Sequence, residues 1–186
     1  MARLLLPEHG ETMKSKETDL TTTSETSNQL QLAYTIGLLA GEGSFFITFT
    51  RDNRYRYGVY YGAKFAISMG TKCHEMLEQQ RALYELGTVN ESQKGYQWVL
   101  SSRADCHELR RLIDTYLDEH PDASFPTSPK YEAYQAWCEA LDLLQPNRQL
   151  TKEEIITLAE LREDINYLGA SNRITTEEIR CRLAEE

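Results

Sequence analysis

The sequence has no apolar run long enough to cross a bilayer. A membrane-spanning helix needs about 20 consecutive apolar residues, and the longest apolar runs here are far shorter. The chain begins Met-Ala-Arg followed by Leu4–Leu6 and Pro7, which is too short an apolar stretch for a secretory signal. We therefore expect an intracellular protein that is not secreted, either cytoplasmic in a prokaryote or organellar.

Cysteine is scarce and widely spaced. Cys73, Cys106, Cys138 and Cys181 stand more than 30 residues apart, and no two of them form a CxxC pair. This spacing predicts free thiols in a reducing compartment. Two of the cysteines precede histidines, but adjacent residues on a helix point about 100° apart and seldom share a metal ion, so the sequence does not favour a zinc site.

Basic residues are outnumbered by acidic ones. The chain has 20 Lys+Arg against 29 Asp+Glu, a formal net charge of −9. This balance argues against a generally basic nucleic-acid-binding protein, so any contact with DNA must come from a local patch.

The length and composition fit one domain with a tail. The chain has 186 residues, of which 40% are apolar, enough for one packed core. Residues 17–27 hold seven Ser and Thr and little that could be buried. We therefore predict a flexible N-terminal tail over residues 1–29, a domain over 30–168 and a C-terminal helical extension over 169–186.

Hydrophobic periodicity predicts an α+β domain with an antiparallel sheet. The expected order is a helix, two strands, a helix, two strands and further helices. Two capping boxes, Thr151 with Glu154 and Thr175 with Glu178, are typical of the starts of the last two helices. The predicted helices are 30–40, 72–86, 105–119 and 130–144, and the predicted strands are 44–51, 55–68, 88–91 and 96–101.

The segment Tyr34–Phe45, YTIGLLAGEGSF, carries the most informative pattern. Ala33, Gly37 and Gly41 recur every four residues, so one stripe of the helix is almost bare and another backbone can approach it closely. Glu42 follows at the negative end of the helix dipole, where a carboxylate gains no local stability but can bind a cation.

Three other interpretations of this segment compete with a cation site when only the residues are considered. Glu42 could be an ordinary exposed residue in a glycine-rich turn. The glycines could form a phosphate loop, but they end a helix rather than open one and lack the GK[ST] sequence. The small-residue stripe could be a membrane dimer motif, but the segment is too short and too polar at its edges.

A basic hairpin follows the helix. Between Ser44 and Met69 the net charge is +3, which leaves −12 on the rest of the chain. Basic, tyrosine-rich segments are typical of phosphate and base contact, although cations also protect a solvated sheet edge. The basic residues of this hairpin are Arg51, Arg54, Arg56 and Lys64, and the one acidic residue is Asp52. Strand alternation predicts that Lys64 faces the DNA groove together with Thr48, Thr50, Tyr60 and Ser68. Weaker candidates for DNA contact from the second hairpin are Asn90, Ser92 and Gln97.

TIGLLAGEGSF resembles the signature of the LAGLIDADG homing endonucleases, with Gly37, Leu38, Gly41, Glu42, Gly43 and Ser44-Phe45 in matching places. The resemblance implies the αββαββα fold, an antiparallel saddle sheet with helices on one face. A single copy of the motif implies a homodimer joined through Ala33, Gly37 and Gly41. The resemblance also implies Mg²⁺ at Glu42 and Gly41, double-stranded DNA as partner, and Glu42 as the catalytic residue.

Two functions remain open at this point. The first is a Mg²⁺-dependent, site-specific DNA endonuclease. The second is a non-cleaving nucleic-acid-binding protein on the same scaffold, such as an intron maturase or a regulator. Glu42 favours the first. Two residues favour the second function. Met69 stands where the resemblance leads us to expect a polar or basic residue, and Ser128 stands where it leads us to expect a lysine. Lys130, two residues after Ser128, is the nearest candidate for that lysine.

Overall fold

The computed structural model describes residues 15–165 and 174–184, with side chains from residue 27 onward. The chain forms two compact units, Met1–Tyr34 and Thr35–Glu186. No helix in the described ranges is both long and apolar enough to span a membrane.

The larger unit confirms the predicted α+β order. Its four strands form one antiparallel sheet in the order β1-β2-β4-β3. The elements are α1 Ser15–Glu42, β1 Gly43–Arg51, β2 Val59–Met69, α2 His74–Tyr84, β3 Thr88–Ser92, β4 Gly95–Leu100, α3 Arg103–Glu119, α4 Tyr131–Leu143, α5 Lys152–Ile165 and α6 Thr176–Ala184, with short 3₁₀ turns at Thr71–Cys73 and Phe125–Thr127.

One face of the sheet forms the core. Phe45 lies 5.2 Å from Trp137 and 5.4 Å from Tyr134 between ring centroids, so α4 packs directly on β1. The helices contribute further buried side chains to the same core. The fully buried large residues include Ile47, Phe65, Ile67, Trp98 and Leu100 from the sheet, and Leu77, Leu109, Ile113 and Leu141 from the helices. Because side chains alternate along a strand, the opposite face is left for other contacts.

The first helix begins earlier than predicted. We expected order from about residue 29, whereas α1 begins at Ser15. The sequence between Gly10 and Gly37 contains neither glycine nor proline, and a helix once nucleated propagates at little cost per residue through such a stretch. The first 14 residues of the predicted tail lie outside the described residues.

The second strand begins later than predicted. We expected it from Tyr55, but β2 begins at Val59 because residues 52–58 form a closed turn. The Asp52 N–H donates to the Gly58 carbonyl at 2.9 Å, and the Gly58 N–H donates to the Tyr55 carbonyl at 2.8 Å. Gly58 has a φ of +64°, which favours glycine at this position.

The two capping boxes begin helices as predicted. At the start of α5 the bonds are reciprocal: the Glu154 N–H donates to Thr151 Oγ1 at 3.2 Å, and the Thr151 N–H donates to Glu154 Oε2 at 2.9 Å. At α6 the Glu178 N–H donates to Thr175 Oγ1 at 3.1 Å, but the Glu178 carboxylate makes a different contact, described below. Helix α6 lies inside the predicted extension, whose domain boundary stays a prediction.

Helix α1 passes into β1 with no intervening loop. Glu42 is the last helical residue and Gly43 the first strand residue. A Cβ atom added to Gly43 would lie 2.5 Å from the Leu39 carbonyl oxygen, a distance that backbone atoms do not tolerate. Glycine is therefore required here by the close approach of two backbones.

We predict that Gly43→Ala lowers the free energy of unfolding by about 1–3 kcal/mol, because the added methyl forces the junction apart. Gly70→Ala is the matched control, since an added Cβ there meets nothing within 4 Å. Urea denaturation of both variants measures the difference. Equal stability of the two would contradict the tight junction.

Candidate nucleic-acid interface and metal-binding helix end

Glu42 is exposed at the end of α1, and the helix behind it is anchored in the core. Leu39 is fully buried and Ile36 is 4% exposed, one and two turns before the carboxylate. Gly41 is exposed beside Glu42. The buried side of α1 and the loop-free junction together fix where the Glu42 carboxylate projects.

A buried hydrogen-bond network ties α1 to α2. Thr35 Oγ1 donates to Gln80 Oε1 at 2.6 Å and lies 2.9 Å from the Tyr84 hydroxyl. Burial raises the pKa of Tyr84, and the hydrogen bond with Thr35 opposes this in part. Both Thr35 and Gln80 are buried polar groups, so losing either partner leaves an unsatisfied group at a cost of about 1–3 kcal/mol. The sequence pattern gave no sign of this pairing.

Gly37 and Gly41 are exposed, in contrast to Gly43. A Cβ atom added at either position meets nothing within 4 Å. Packing within residues 15–165 and 174–184 therefore gives no reason for glycine at these two helical positions. Ala33, the third member of the predicted stripe, belongs to the smaller unit.

The donor groups at this helix end fit a hard divalent cation. Glu42 offers carboxylate oxygens, and the last four carbonyls of a helix, including that of Gly41, lack intrahelical partners. Mg²⁺ and Ca²⁺ both prefer oxygen ligands of these two kinds.

The open face of the sheet gathers five of the candidate DNA-binding residues. Register pairs Thr50 with Tyr60 and places Lys64 opposite Phe46. Thr48 is in register with Gly62, two residues from both Tyr60 and Lys64, so it lies on the same face. Its Oγ1 donates to the Gly62 carbonyl at 3.1 Å. The five are Thr48, Thr50, Tyr60, Lys64 and Ser68, and each is half-buried or exposed.

A polar row continues this face into the second hairpin. Ser68 is in register with Gln97, and Gln97 is in register with Asn90. Gln97 Nε2 donates to Ser68 Oγ at 2.7 Å. Two of the weaker candidates therefore join the open face.

Two of the predicted arginines lie in the turn. Arg54 Nε donates to Asp52 Oδ1 at 2.9 Å and Arg54 Nη2 donates to Asp52 Oδ2 at 2.7 Å. These side-chain bonds lower the pKa of Asp52 to about 2. The Arg56 guanidinium lies 5.1 Å from the centroid of the Tyr57 ring.

Arg51 does not lie with the open-face set. Alternation from Phe45, Ile47 and Phe49 puts Arg51 on the helix side, where it makes a bidentate ion pair with Glu178 of α6. The two bonds are 2.8 Å and 2.5 Å long, and they lower the pKa of Glu178. Arg51 was predicted to bind DNA from its charge, and that role stays a prediction.

The remaining candidates, Lys130, Ser128 and Met69, lie outside the open-face set. Lys130 immediately precedes α4 and is not part of the sheet, and Ser128 closes the 3₁₀ turn before it. Met69 is the last residue of β2, half-buried and in register with Tyr96.

Solved structures with the same fold include several homing endonucleases. The archaeal intron-encoded I-Vdi141I, complexed with DNA, matches with a TM-score of 0.67 and 17% identity over 84% of this chain and 96% of that chain. I-CvuI, in complex with its target in the presence of Ca, matches with a TM-score of 0.71 and 16% identity over 86% and 96%. At such identities these likenesses show the fold alone.

The structure of I-SmaMI bound to cleaved DNA has a similar fold in a longer chain. It matches with a TM-score of 0.62 and 20% identity over 83% of this chain but 48% of that chain, so this chain spans about half of I-SmaMI. No curated protein sequence matches this chain.

The family model for LAGLIDADG endonuclease matches residues 35–141. This range contains the end of α1 with Glu42, all four strands, α2, α3 and most of α4. It covers more than half of the sequence. The chain therefore belongs to the LAGLIDADG endonuclease family, a family of DNA endonucleases.

Proposed function

We propose that this protein is a site-specific, double-strand DNA homing endonuclease that hydrolyses phosphodiester bonds as a Mg²⁺-dependent homodimer with one Glu42 per protomer. The observation that carries the proposal is the exposed Glu42 at the end of α1, joined without a loop to a sheet whose open face is polar. This arrangement keeps a carboxylate at a fixed position beside a surface suited to a duplex.

Glu42 and the Gly41 carbonyl would hold the ion. Mg²⁺ takes six ligands, and we expect DNA phosphates, waters and a second copy of the chain to supply those beyond this pair. A divalent ion, when bound, lowers the pKa of water and neutralises developing phosphate charge. The contribution of this chain is to aim the carboxylate, through buried Leu39 and the Thr35 network, at the place where a phosphate would lie.

The exposed glycines support association through α1. Gly37 and Gly41 leave the helix backbone open, and Ala33 precedes them at the same four-residue spacing. A two-fold pairing here would bring two Glu42 carboxylates close together and suit a pseudo-palindromic site.

The open face and the turn would hold the duplex. Thr48, Thr50, Tyr60, Lys64 and Ser68 offer hydrogen-bond donors and acceptors at strand spacing, and Arg54 and Arg56 offer contacts to phosphate. Lys130 remains a candidate for a contact near the reacting phosphate, argued from the family resemblance alone.

The first prediction concerns the dimer. Gly37→Leu should raise the dimer dissociation constant about 5- to 150-fold, because an overpacked contact costs about 1–3 kcal/mol. A Cβ atom added at Gly37 meets nothing within 4 Å in the described part of the chain, so we expect the protomer still to fold. Sedimentation equilibrium measures the constant, with Gly70→Leu as control. A monomeric unmutated protein at micromolar concentration would rule out this pairing.

The second prediction separates the two faces of the sheet. Lys64→Ala on the open face should flatten the slope of log binding constant against log salt by about 0.9, the value for one lost phosphate contact. Arg51→Ala should change the slope less, because its guanidinium already pairs with Glu178 on the helix side. Arg111→Ala, which breaks a pair with Glu108 on α3, is the control. Equal slopes for Arg51→Ala and Lys64→Ala would contradict the assignment.

The third prediction tests the chemistry. Glu42→Gln keeps the shape of the side chain but removes the charge that attracts Mg²⁺, so cleavage should fall below detection while binding stays equal or tightens. The substrate is the joined exons that flank the reading frame, and a chelator should stop the unmutated protein. Glu139→Gln, an equal charge change at an exposed position of α4, controls for net charge.

Two outcomes of this experiment would change the proposal. Equal cleavage by the Glu42→Gln variant and the unmutated protein would remove Glu42 from the mechanism. Tight, specific binding with no cleavage by the unmutated protein would point to the non-cleaving alternative, a maturase or regulator.

A further inference from the structure

The outer half of the first hairpin is a two-stranded ribbon. Strand β1 pairs with β2 along residues 43–51, but within the described residues β4 pairs with β2 only over Phe65–Met69. Residues 46–64, which we call the outer ribbon, therefore extend beyond the four-stranded part of the sheet. A hairpin of two strands is at best marginally stable in water on its own, so the outer ribbon needs support from another element.

Helix α6 gives that support through the carboxylate of Glu178. Glu178 Oε1 accepts a hydrogen bond from Arg51 Nε at 2.8 Å, and Oε2 accepts one from Arg51 Nη2 at 2.5 Å, directly before the turn. The same Oε1 accepts a hydrogen bond from Arg182 Nε at 3.2 Å. A Cβ atom added to Gly58, the last residue of the turn, would lie 3.1 Å from Arg182 Nη1. One carboxylate thus connects both ends of the turn to α6.

The supporting helix is itself fixed to the rest of the domain. Ile179 and Leu183 of α6 are buried. Lys152, the first residue of α5, donates from Nζ to the Leu183 carbonyl at 2.6 Å, and its ammonium lies 5.7 Å from the centroid of the Tyr57 ring in the turn. Because α6 is held by its apolar side and by α5, a contact from it can restrain the turn.

We propose that Glu178 is a positioning residue that holds the outer ribbon in place for contact with the outer part of a DNA site. This inference rests on the proposed function, since it takes the open face as the surface that holds a duplex. The outer ribbon carries most of the open-face set, namely Thr48, Thr50, Tyr60 and Lys64.

The length of β1 indicates which part of the duplex is concerned. The strand has nine residues, so Arg51 lies about 26 Å along it from Gly43, beside Glu42. A duplex rises about 3.4 Å per base pair. The supported end of the hairpin would therefore meet base pairs about eight positions away from those nearest Glu42.

Hydrogen exchange of the free protein tests the positioning itself. The N–H groups of Asp52, Tyr55 and Gly58 are hydrogen-bonded within the turn. Glu178→Gln should make these three amides exchange about 2- to 10-fold faster, because it removes the charge from bonds at a partly exposed site. The substitution keeps the backbone N–H that donates to Thr175 Oγ1, so α6 should remain folded, and thermal unfolding checks this.

Glu177→Gln is the matched control. It makes the same charge change one residue earlier in the first turn of α6, where the Glu177 carboxylate pairs with Arg180 of the same helix. The turn amides of this variant should exchange as in the unmutated protein.

Binding of the joined-exon duplex without metal, measured by fluorescence anisotropy, tests the consequence for DNA. Charge alone predicts that losing a carboxylate tightens the binding of a duplex, and Glu177→Gln should follow that rule. Glu178→Gln should instead weaken binding about 2- to 10-fold. Changes to base pairs about eight positions from the centre should cost Glu178→Gln less affinity than they cost the unmutated protein, whereas central changes should cost both equally.

Two results would overturn the proposal. The first is equal exchange of the turn amides in Glu178→Gln and Glu177→Gln, which would show that Glu178 does not hold the turn. The second is unchanged or tighter duplex binding by Glu178→Gln, which would leave charge as its only effect. A lack of duplex binding by the unmutated protein would overturn the proposed function and the DNA role of Glu178 with it, while the exchange result would still decide whether Glu178 holds the turn.

Discussion

The close contact between the backbones of Gly43 and Leu39 is the constraint on which the rest of the site depends. It lets α1 pass directly into β1, so that Glu42 has no flexible loop on either side. The distance from the carboxylate to the open face is then set by covalent geometry and by the burial of Leu39. A loop of even a few residues between α1 and β1 would let the position of the Glu42 carboxylate vary relative to the sheet. A site for a charged ligand needs such preorganisation.

Because side chains alternate along each strand, the two faces of the sheet have different roles. Residues such as Phe45 and Ile47 face the helices and supply the core, whereas Thr48 and Thr50 face outward. Arg51 shows how strict this division is, because its position one residue after Thr50 sends it to Glu178 on the helix side. The acidic chain thus neutralises part of its own basic hairpin, and the charge available to a duplex is smaller than the sequence sum indicates.

Local patterns predicted the elements well. The strand alternation around Ile47, the capping box at Thr151 and the glycine-rich end of α1 each depend on neighbours within a few residues, and each is where the sequence placed it. Partners distant in sequence were not predictable: Thr35 meets Gln80 and Arg51 meets Glu178 only after the chain has folded. The start of α1 at Ser15 was predicted too late, because a segment with little to bury was taken to be unable to form a helix.

Three glycines near the end of α1 differ in the contacts that would explain them. Gly43 is explained inside the chain, because any side chain there would strike the Leu39 carbonyl. Gly37 and Gly41 have open space around them, yet each costs the helix about 0.5–1 kcal/mol relative to alanine. No contact among the described residues of one protomer offsets that cost. A partner backbone lying against the stripe would offset it, at the same helix end that carries Glu42.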